Sequence, residues 1–297
     1  MQPHLSPAEQ ALLEDYRAFV ARAYARDFGV TDEAQAAQIA LEWFQVDRPG
    51  PSGSALDEHF AEAARVPDAR RVLDLAAGMG TAALRGAALG FEMHGVEPDA
   101  EKLSLFRRRV ATLALAGFPE GTARMPRMAR AVGERLPYKN DVFDAVTSYQ
   151  TLEHVQDVEA VLAEMLRVVR PGGVLHLRCP DYRGTFEGHY LLPWLPLLPA
   201  PLARLYLRLR GRPSTGYAGL TYTTRPGLVR GLKEAASRAG IEIEVTDLER
   251  ERIGARLRDK GLPSSGFLVT LAEFALYLKR AFRAETQINL CVFKRPG

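Results

Sequence analysis

Cysteine is almost absent from this sequence: Cys179 and Cys291 are the two in 297 residues. Their number and spacing suit neither a disulfide framework nor a thiolate zinc site. Free buried thiols in a reducing compartment are expected, and no metal site. Tryptophan is equally rare, with two residues. No run reaches the roughly 20 uncharged apolar residues of a membrane-spanning helix. The first residues lack a basic stretch followed by an apolar one, so no secretory signal is expected and the chain reads as cytoplasmic. Charge of one sign is lacking too. Lys and Arg number 39 against 36 Asp and Glu, a net +3 that leaves no electrostatic footprint for nucleic acid. What is present is ordinary for a globular chain: 47% hydrophobic residues, enough for a full core, at a length that suits one large α/β domain with additions.

The apolar pattern changes along the chain. Leu12, Leu13, Tyr16, Phe19, Val20 and Tyr24 recur at three- and four-residue spacing, so residues 6–45 are expected to be helical, with a second helix over about 32–45. Residues 48–54 carry two prolines and two glycines and read as a loop, followed by a short helix over 55–65. Residues 1–66 therefore form an expected helical cap. From Arg70 short apolar strands alternate with helices. Strands are expected at 72–75, 91–96, 142–148 and 174–179, with a weak one near 128–132, and helices at 80–90, 101–115 and 158–169. That rhythm predicts an α/β fold of Rossmann-like type, a mostly parallel sheet with helices on both faces. Residues 117–130 read as loop. The rhythm breaks over 181–222, an expected insertion after the fifth strand, and returns with a helix at 226–239, a strand at 241–246, a helix at 267–282 and a last strand at 288–293.

The first chemical signal is Asp74-Leu-Ala-Ala-Gly78-Met-Gly80. Small residues after a strand let a backbone approach a nucleotide that a Cβ would keep away, at the strand edge where open α/β sheets bind ligands. Taken alone this segment has two readings. Gly78-Met-Gly-Thr-Ala-Ala83 also fits the dinucleotide fingerprint of a nicotinamide-dependent oxidoreductase, and Glu97 ends the next strand near the spacing of a ribose-binding acid. In both readings Glu97 holds ribose hydroxyls, because a carboxylate accepts two hydrogen bonds from a vicinal diol.

Downstream segments separate the two. Asp74 to Gly80, Gly95-Val-Glu-Pro-Asp99, Glu134-Arg-Leu-Pro-Tyr138, Phe143-Asp-Ala-Val146, Leu152-Glu-His-Val155 and Arg170-Pro-Gly-Gly173 occur in order. Together they resemble class I S-adenosylmethionine-dependent methyltransferases, in the branch that includes ubiquinone-biosynthesis enzymes. The resemblance covers about residues 68–180 closely and the tail in outline. It implies a seven-stranded sheet, the cofactor S-adenosyl-L-methionine and the product S-adenosyl-L-homocysteine. It implies further that Asp74, Ala76, Gly78, Met79 and Gly80 hold the methionine part, that Glu97 beside Pro98 takes the ribose, that Gly133 and Glu134 lie beside adenine, and that Gln150 lies near the methionine carboxylate and the methyl group. Two positions depart from the family: Ala76 stands where glycine is usual, and Val132 where an acid often bonds the adenine amino group.

The sulfonium already activates the methyl group, so transfer is an in-line displacement that mainly needs alignment. A hydroxyl nucleophile also needs a general base. His154, after the fourth strand, and His189, in Phe186-Glu-Gly-His-Tyr190, are the expected catalytic residues, with Glu187 and Tyr190 as neighbours that orient; packing of His189 on Trp194 is the plainer alternative. His94 and His176 are expected to be structural. Residues 191–201 hold four prolines and cannot form regular structure, whereas 202–210 place Arg204, Arg208 and Arg210 among leucines. That segment reads first as a wall of the acceptor pocket and second as a peripheral contact with the inner face of a membrane. The expected acceptor is a small or lipid-linked molecule, with oxygen as the favoured atom. Arg107, Arg108 and Arg109 point in three directions on their helix and read as solvated. A non-catalytic cofactor-binding module remains the third alternative.

Overall fold

The structure, a computed structural model, describes residues 5–44, 51–115, 124–282 and 284–296. Leu12, Leu13, Tyr16, Phe19 and Val20 form the buried face of α1 (Pro7–Phe28). Ser6 caps it: its Oγ accepts from the Glu9 amide at 3.3 Å while the Glu9 carboxylate accepts from the Ser6 amide at 2.8 Å. α2 (Glu33–Phe44) buries Ala36, Ala40 and Phe44 against α1. α3 (Pro51–Ala64) begins inside the expected loop, because the fixed φ of proline suits the first turn of a helix. Residues 45 and 48–50, on which parts of these expectations fall, lie outside the described residues.

The alternation then runs as expected through β1 (Arg71–Leu75), α4 (Thr81–Ala88), β2 (Glu92–Val96), α5 (Ala100–Leu115), β3 (Arg127–Ala129), β4 (Phe143–Tyr149), α6 (Val158–Val168) and β5 (Val169–Pro180). The weak strand near 128–132 is β3. Residues 116–123, part of the expected loop, are outside the described residues. Beyond Pro180 come the two short strands β6 (Phe186–Glu187) and β7 (Leu192–Pro193), paired as a hairpin, then α7 (Ala200–Leu209) and α8 (Thr215–Ala218). β7 and the start of α7 fall within 191–201, where the prolines predict no regular structure, because Pro193 ends its strand and Pro201 sits in the first turn of its helix. α9 (Arg225–Ala239), β8 (Ile243–Asp247), α10 (Leu248–Asp259), α11 (Gly266–Arg280) and β9 (Gln287–Lys294) complete the chain. α10 is not foreseen from the sequence: it is mostly charged and buries only Leu248, Ile253 and Gly254, so no apolar period announces it.

The seven-stranded sheet has the order β3-β2-β1-β4-β5-β9-β8, all parallel except β9. The order reverses between β1 and β4, so the carboxyl ends of those strands flank the crevice where such sheets bind ligands. The main core packs Leu73, Leu75, Val146, Leu175 and Leu290 against Val161, Leu162, Met165 and Leu232 of the helices. A second cluster joins α1 and α2 to Met79 and Leu105. Among the described residues no helix is long and apolar enough to cross a membrane.

The opposite edge of the sheet explains two of the sequence motifs. Asp144 Oδ2 accepts the amides of Arg70 (2.8 Å) and Arg71 (2.7 Å), and its Oδ1 accepts from Arg170 Nε (2.6 Å). One carboxylate thus ties β1, β4 and β5 at their amino ends, beside the register shift between Phe143 and Ala145. Gly173 passes so close that a Cβ there would come within 2.7 Å of the Asp144 carbonyl and of Val169 Cγ2. Gly173→Ala should therefore destabilise the fold by about 1–3 kcal/mol, as overpacking does. The denaturant midpoint should fall accordingly, and an unchanged midpoint would contradict the contact.

Candidate active site

Beyond Leu75 the chain turns through three residues of positive φ: Ala76 (54°), Gly78 (56°) and Gly80 (80°). Glycine adopts this region freely, whereas a side chain there costs about 1–2 kcal/mol. The alanine at 76 thus carries a conformational cost besides its methyl volume. The turn is tied inward. The Ala77 amide donates to Val96 O at 2.9 Å, and the Gly80 amide to Ala77 O at 2.8 Å. Gly95 on β2 makes room for it, since a Cβ there would lie 2.9 Å from Ala77 Cβ. A Cβ at Gly78 would meet nothing within 4 Å, so the outer side of the turn is open.

Glu97, buried at the end of β2, clamps this turn. Its Oε2 accepts the Gly78 amide at 2.9 Å and its Oε1 the Asp99 amide at 3.0 Å, with Lys102 Nζ at 4.0 Å. Pro98 follows, and its carbonyl accepts from Arg130 Nε. Met79 is buried under α1, where its carbonyl accepts the Tyr16 hydroxyl at 3.4 Å. Asp74 is buried at the base of the turn. Thr147 Oγ1 donates to its Oδ1 at 3.4 Å, and among the described residues its Oδ2 has no partner. Burial pushes the Asp74 carboxyl up to about 7; the Thr147 bond opposes that and the nearby Glu97 charge adds to it. An unpartnered buried carboxylate beside an open glycine turn fits a ligand that brings a positive charge, as the ammonium of S-adenosylmethionine does.

Gly133 rests on Val161 and Leu75, and Val132 beside it is exposed. The Glu134 carboxylate is engaged, accepting the amides of Gln156 (2.9 Å) and Asp157 (3.4 Å) ahead of α6. Gln150, in positive φ (51°) past β4, donates its amide to Arg178 O at 2.8 Å and its side chain to Gln287 Oε1 at 3.1 Å.

The two expected histidines meet. His189 Nε2 lies 3.2 Å from His154 Nε2, and His189 Nδ1 lies 2.7 Å from Glu187 Oε1. Glu187 is itself fixed, its Oε2 accepting the Tyr190 amide at 2.6 Å. His189 stacks on Phe28 of α1 (centroids 5.2 Å apart) rather than on Trp194. Trp194 packs instead with Tyr190, Leu192, Leu198, Ala203 and Leu207 in a separate apolar cluster of the 181–222 segment. Burial alone would lower the His189 pKa, but the carboxylates of Glu187, Glu153 and Glu285 outweigh it and raise the value. Desolvation and the facing His189 hold His154 well below the imidazole range.

Sequence reasoning did not single out Glu153 or Glu285. Glu153 is fully buried, among the described residues neither oxygen has a hydrogen-bond partner, and burial pushes its carboxyl up to about 8. Glu285, raised to about 7 by burial and by Glu187, accepts the Gly188 amide at 3.2 Å and a bond from Gln287. Glu153 stands inside a quoted motif, but nothing in the sequence says that it points inward. Glu285 comes from the far end of the chain. Of the three arginines on α5, Arg109 corrects the solvated reading. It is 2% exposed and bonds Trp43 O (3.1 Å), Phe44 O and Thr81 Oγ1 (3.0 Å), holding the end of α2 to the start of α4.

The raised Asp74 pKa sets a pH dependence. A carboxyl that titrates near 7 in the fold and near 4 in the unfolded chain favours folding below about pH 4 and loses that contribution as pH rises to about 7. The Asp74→Asn variant lacks this loss. Its ligand-free thermal midpoint should gain on the wild type between pH 4 and 7 and keep a constant lead above pH 8. Parallel curves across the range would refute the assignment.

Comparison with known proteins agrees with this geometry. A methyltransferase domain family model matches residues 73–177, from β1 through β5. An uncharacterised methyltransferase of a Mycobacterium species is 31% identical over 227 residues, covering 76% of this chain and 77% of the relative. Another, from Mycobacterium marinum, is 35% identical over 150 residues, covering 50% of this chain and 54% of that protein. A phosphoethanolamine N-methyltransferase of Haemonchus contortus, solved with S-adenosyl-L-methionine, shares the fold at TM-score 0.52 and 18% identity, over 95% of this chain and 60% of its own. A [4+2]-cyclase, SpnF, has a similar fold at TM-score 0.50 and 19% identity, over 85% and 86%. Relatedness on this scale closes the nicotinamide reading left open by the glycine turn: the chain belongs to the class I S-adenosylmethionine-dependent methyltransferases and uses S-adenosylmethionine as its cofactor.

Proposed function

We propose that the protein transfers a methyl group to a hydroxyl oxygen of a small or lipid-linked acceptor. The observation that carries this reading is the line Glu187–His189–His154, in which a carboxylate orients one imidazole and that imidazole faces a second. An amine or carbanion acceptor needs no such base, whereas a hydroxyl does. His189 takes the acceptor's proton, Glu187 positions it, and His154 completes the polar wall. On the cofactor side, Asp74, Ala76, Gly78, Met79 and Gly80 hold the methionine part and Glu97 with Pro98 the ribose. Gly133 and Glu134 flank adenine, and Gln150 sits by the methionine carboxylate. Their common position at the carboxyl edge of β1, β2, β3 and β4, around the reversal of strand order, supports this distribution. Residues 1–66 act as a cap, and 181–222 as the acceptor-side insertion.

One observation favours a lipid-linked acceptor. Leu195, Leu197, Leu202, Leu205 and Leu209 are all exposed, Leu209 at 75%, and Arg204, Arg208 and Arg210 on the same segment are exposed with them. Apolar side chains interleaved with arginines suit an anionic membrane surface, so 191–210 serves as a peripheral contact. No nucleic-acid partner is proposed.

Calorimetric titration with S-adenosylhomocysteine should show binding by the wild type and at least a tenfold weaker affinity for Glu97→Ala; equal affinities would remove Glu97 from the site. With labelled S-adenosylmethionine and a panel of hydroxyl- and amine-bearing acceptors, hydroxyl acceptors should be methylated. His189→Ala should then lower kcat by about 10²–10⁴ with S-adenosylhomocysteine affinity kept. Methylation of amines alone, or full activity of the variant, would overturn the oxygen reading. Flotation with anionic vesicles should be lost on combined replacement of Arg204, Arg208 and Arg210 by Ala, and equal flotation of both proteins would exclude the membrane contact.

A further inference from the structure

Three side chains converge behind the acceptor wall. Their ligand atoms, one carboxylate oxygen of Glu153 and the Nε2 atoms of His154 and His189, all lie within 4.8 Å of one another. We propose that Glu153, His154 and His189 form a binding site for one divalent transition-metal ion of the zinc class. The two Nε2 atoms are 3.2 Å apart. Two nitrogens bound to one zinc at about 2.0–2.1 Å and the tetrahedral angle are separated by about 3.3 Å. A second edge, Glu153 Oε1 to His154 Nε2, is 3.9 Å, and the third, from Glu153 to His189, lies within 4.8 Å, so Glu153 reaches the same tetrahedron by a side-chain adjustment.

The surroundings are those of a ligand set. His189 Nδ1 lies on the Glu187 carboxylate, which leaves Nε2 as the free donor atom; this is the carboxylate–histidine arrangement that orients metal-bound imidazoles. Glu187 and Glu285, already accepting the Tyr190 and Gly188 amides, stand behind the ligands as supports. Glu153 is the independent observation. Its carboxylate is fully buried, and among the described residues neither oxygen has a hydrogen-bond donor. A buried carboxylate without a partner is costly, and a cation beside it removes that cost. Three carboxylates, Glu153, Glu187 and Glu285, surround the two imidazoles, and among the described residues no Lys or Arg forms an ion pair with any of them. Mixed imidazole and carboxylate donors select zinc and its neighbours over calcium or magnesium. The exposed side of His154 leaves a fourth position for water or an acceptor hydroxyl, the arrangement of an open rather than a structural zinc site. The spacing in sequence hides all this, because His154 and Glu153 follow β4 while His189 lies on the β6–β7 hairpin.

The inference rests on the reading of this wall as the acceptor side; with the ion bound the Nε2 lone pairs are taken, so His189 takes the acceptor's proton only in the metal-free protein. Loss of activity in His189→Ala is common to both, so metal binding must be measured directly. Zn²⁺ is titrated into the full-length protein against a chromophoric chelator, with S-adenosylhomocysteine affinity as the test of folding. One Zn²⁺ per chain is expected. Its affinity should fall at least 100-fold in the double variant His154→Ala/His189→Ala and about 10- to 100-fold in Glu187→Gln, whose carboxylate only supports a ligand. Co²⁺ in place of Zn²⁺ should give a visible absorption band that the double variant lacks. Wild type and double variant binding Zn²⁺ alike, or no stoichiometric Zn²⁺ in the wild type, overturns the site. With no Zn²⁺ bound and hydroxyl acceptors still methylated, the base reading stands alone. With Zn²⁺ bound as described and amines as the only acceptors, the metal site stands and the oxygen reading falls.

Discussion

Two backbone amides, one from the turn after β1 and one from the turn after β2, end on the same buried carboxylate, Glu97. The conformation of the glycine turn depends on that clamp. The turn holds three residues in positive φ, one of them alanine, and such a backbone persists only when its surroundings over-determine it. The Glu97 bonds, the Ala77 amide on Val96 and the absent side chain at Gly95 together do so. Tyr16, reaching down from α1 to the Met79 carbonyl, adds a bond from above. The clamp therefore connects a strained local conformation to the packing of the N-terminal helices.

A matching carboxylate works at the other end of the sheet. Asp144 gathers two amides at the start of β1 and the Arg170 side chain at the start of β5. One acid fixes the amino ends of the central strands and the other fixes the turns beyond their carboxyl ends. Between the two, β1 and β4 deliver Asp74 and the 149–154 segment to one crevice. Parallel pairing makes this efficient, since strands that run in the same direction bring all their carboxyl ends to the same edge.

The cluster around the imidazole pair follows another logic. Its groups come from three places far apart in the chain: Glu153 and His154 after β4, Glu187 and His189 on the hairpin, Glu285 just before β9. α1 closes it through Phe28, which stacks on His189. The same helix thus touches both the glycine turn and the imidazole pair, which gives α1 a place beside the candidate site as well as in the core. Carboxylates and imidazoles crowd together here, and among the described residues buried Glu153 has no donor, an arrangement that folding alone does not favour.

The sequence by itself determined the alternation of strands and helices, the glycine turn, the acid that follows β2 and the two histidines. Each of these is a local matter of periodicity, backbone freedom or residue type. It fell short where a role depends on direction or on a distant partner. Nothing in the Leu152-Glu-His-Val155 stretch says that Glu153 points into the protein without a donor, and charged α10 offers no apolar stripe. Arg109 looked like its two neighbours, yet only the end of α2, more than 60 residues earlier, supplies the carbonyls that bury it. The tertiary structure alone decided that His154 and His189 face each other at 3.2 Å, because that distance is set by a β4 loop and a hairpin with no local reason to meet.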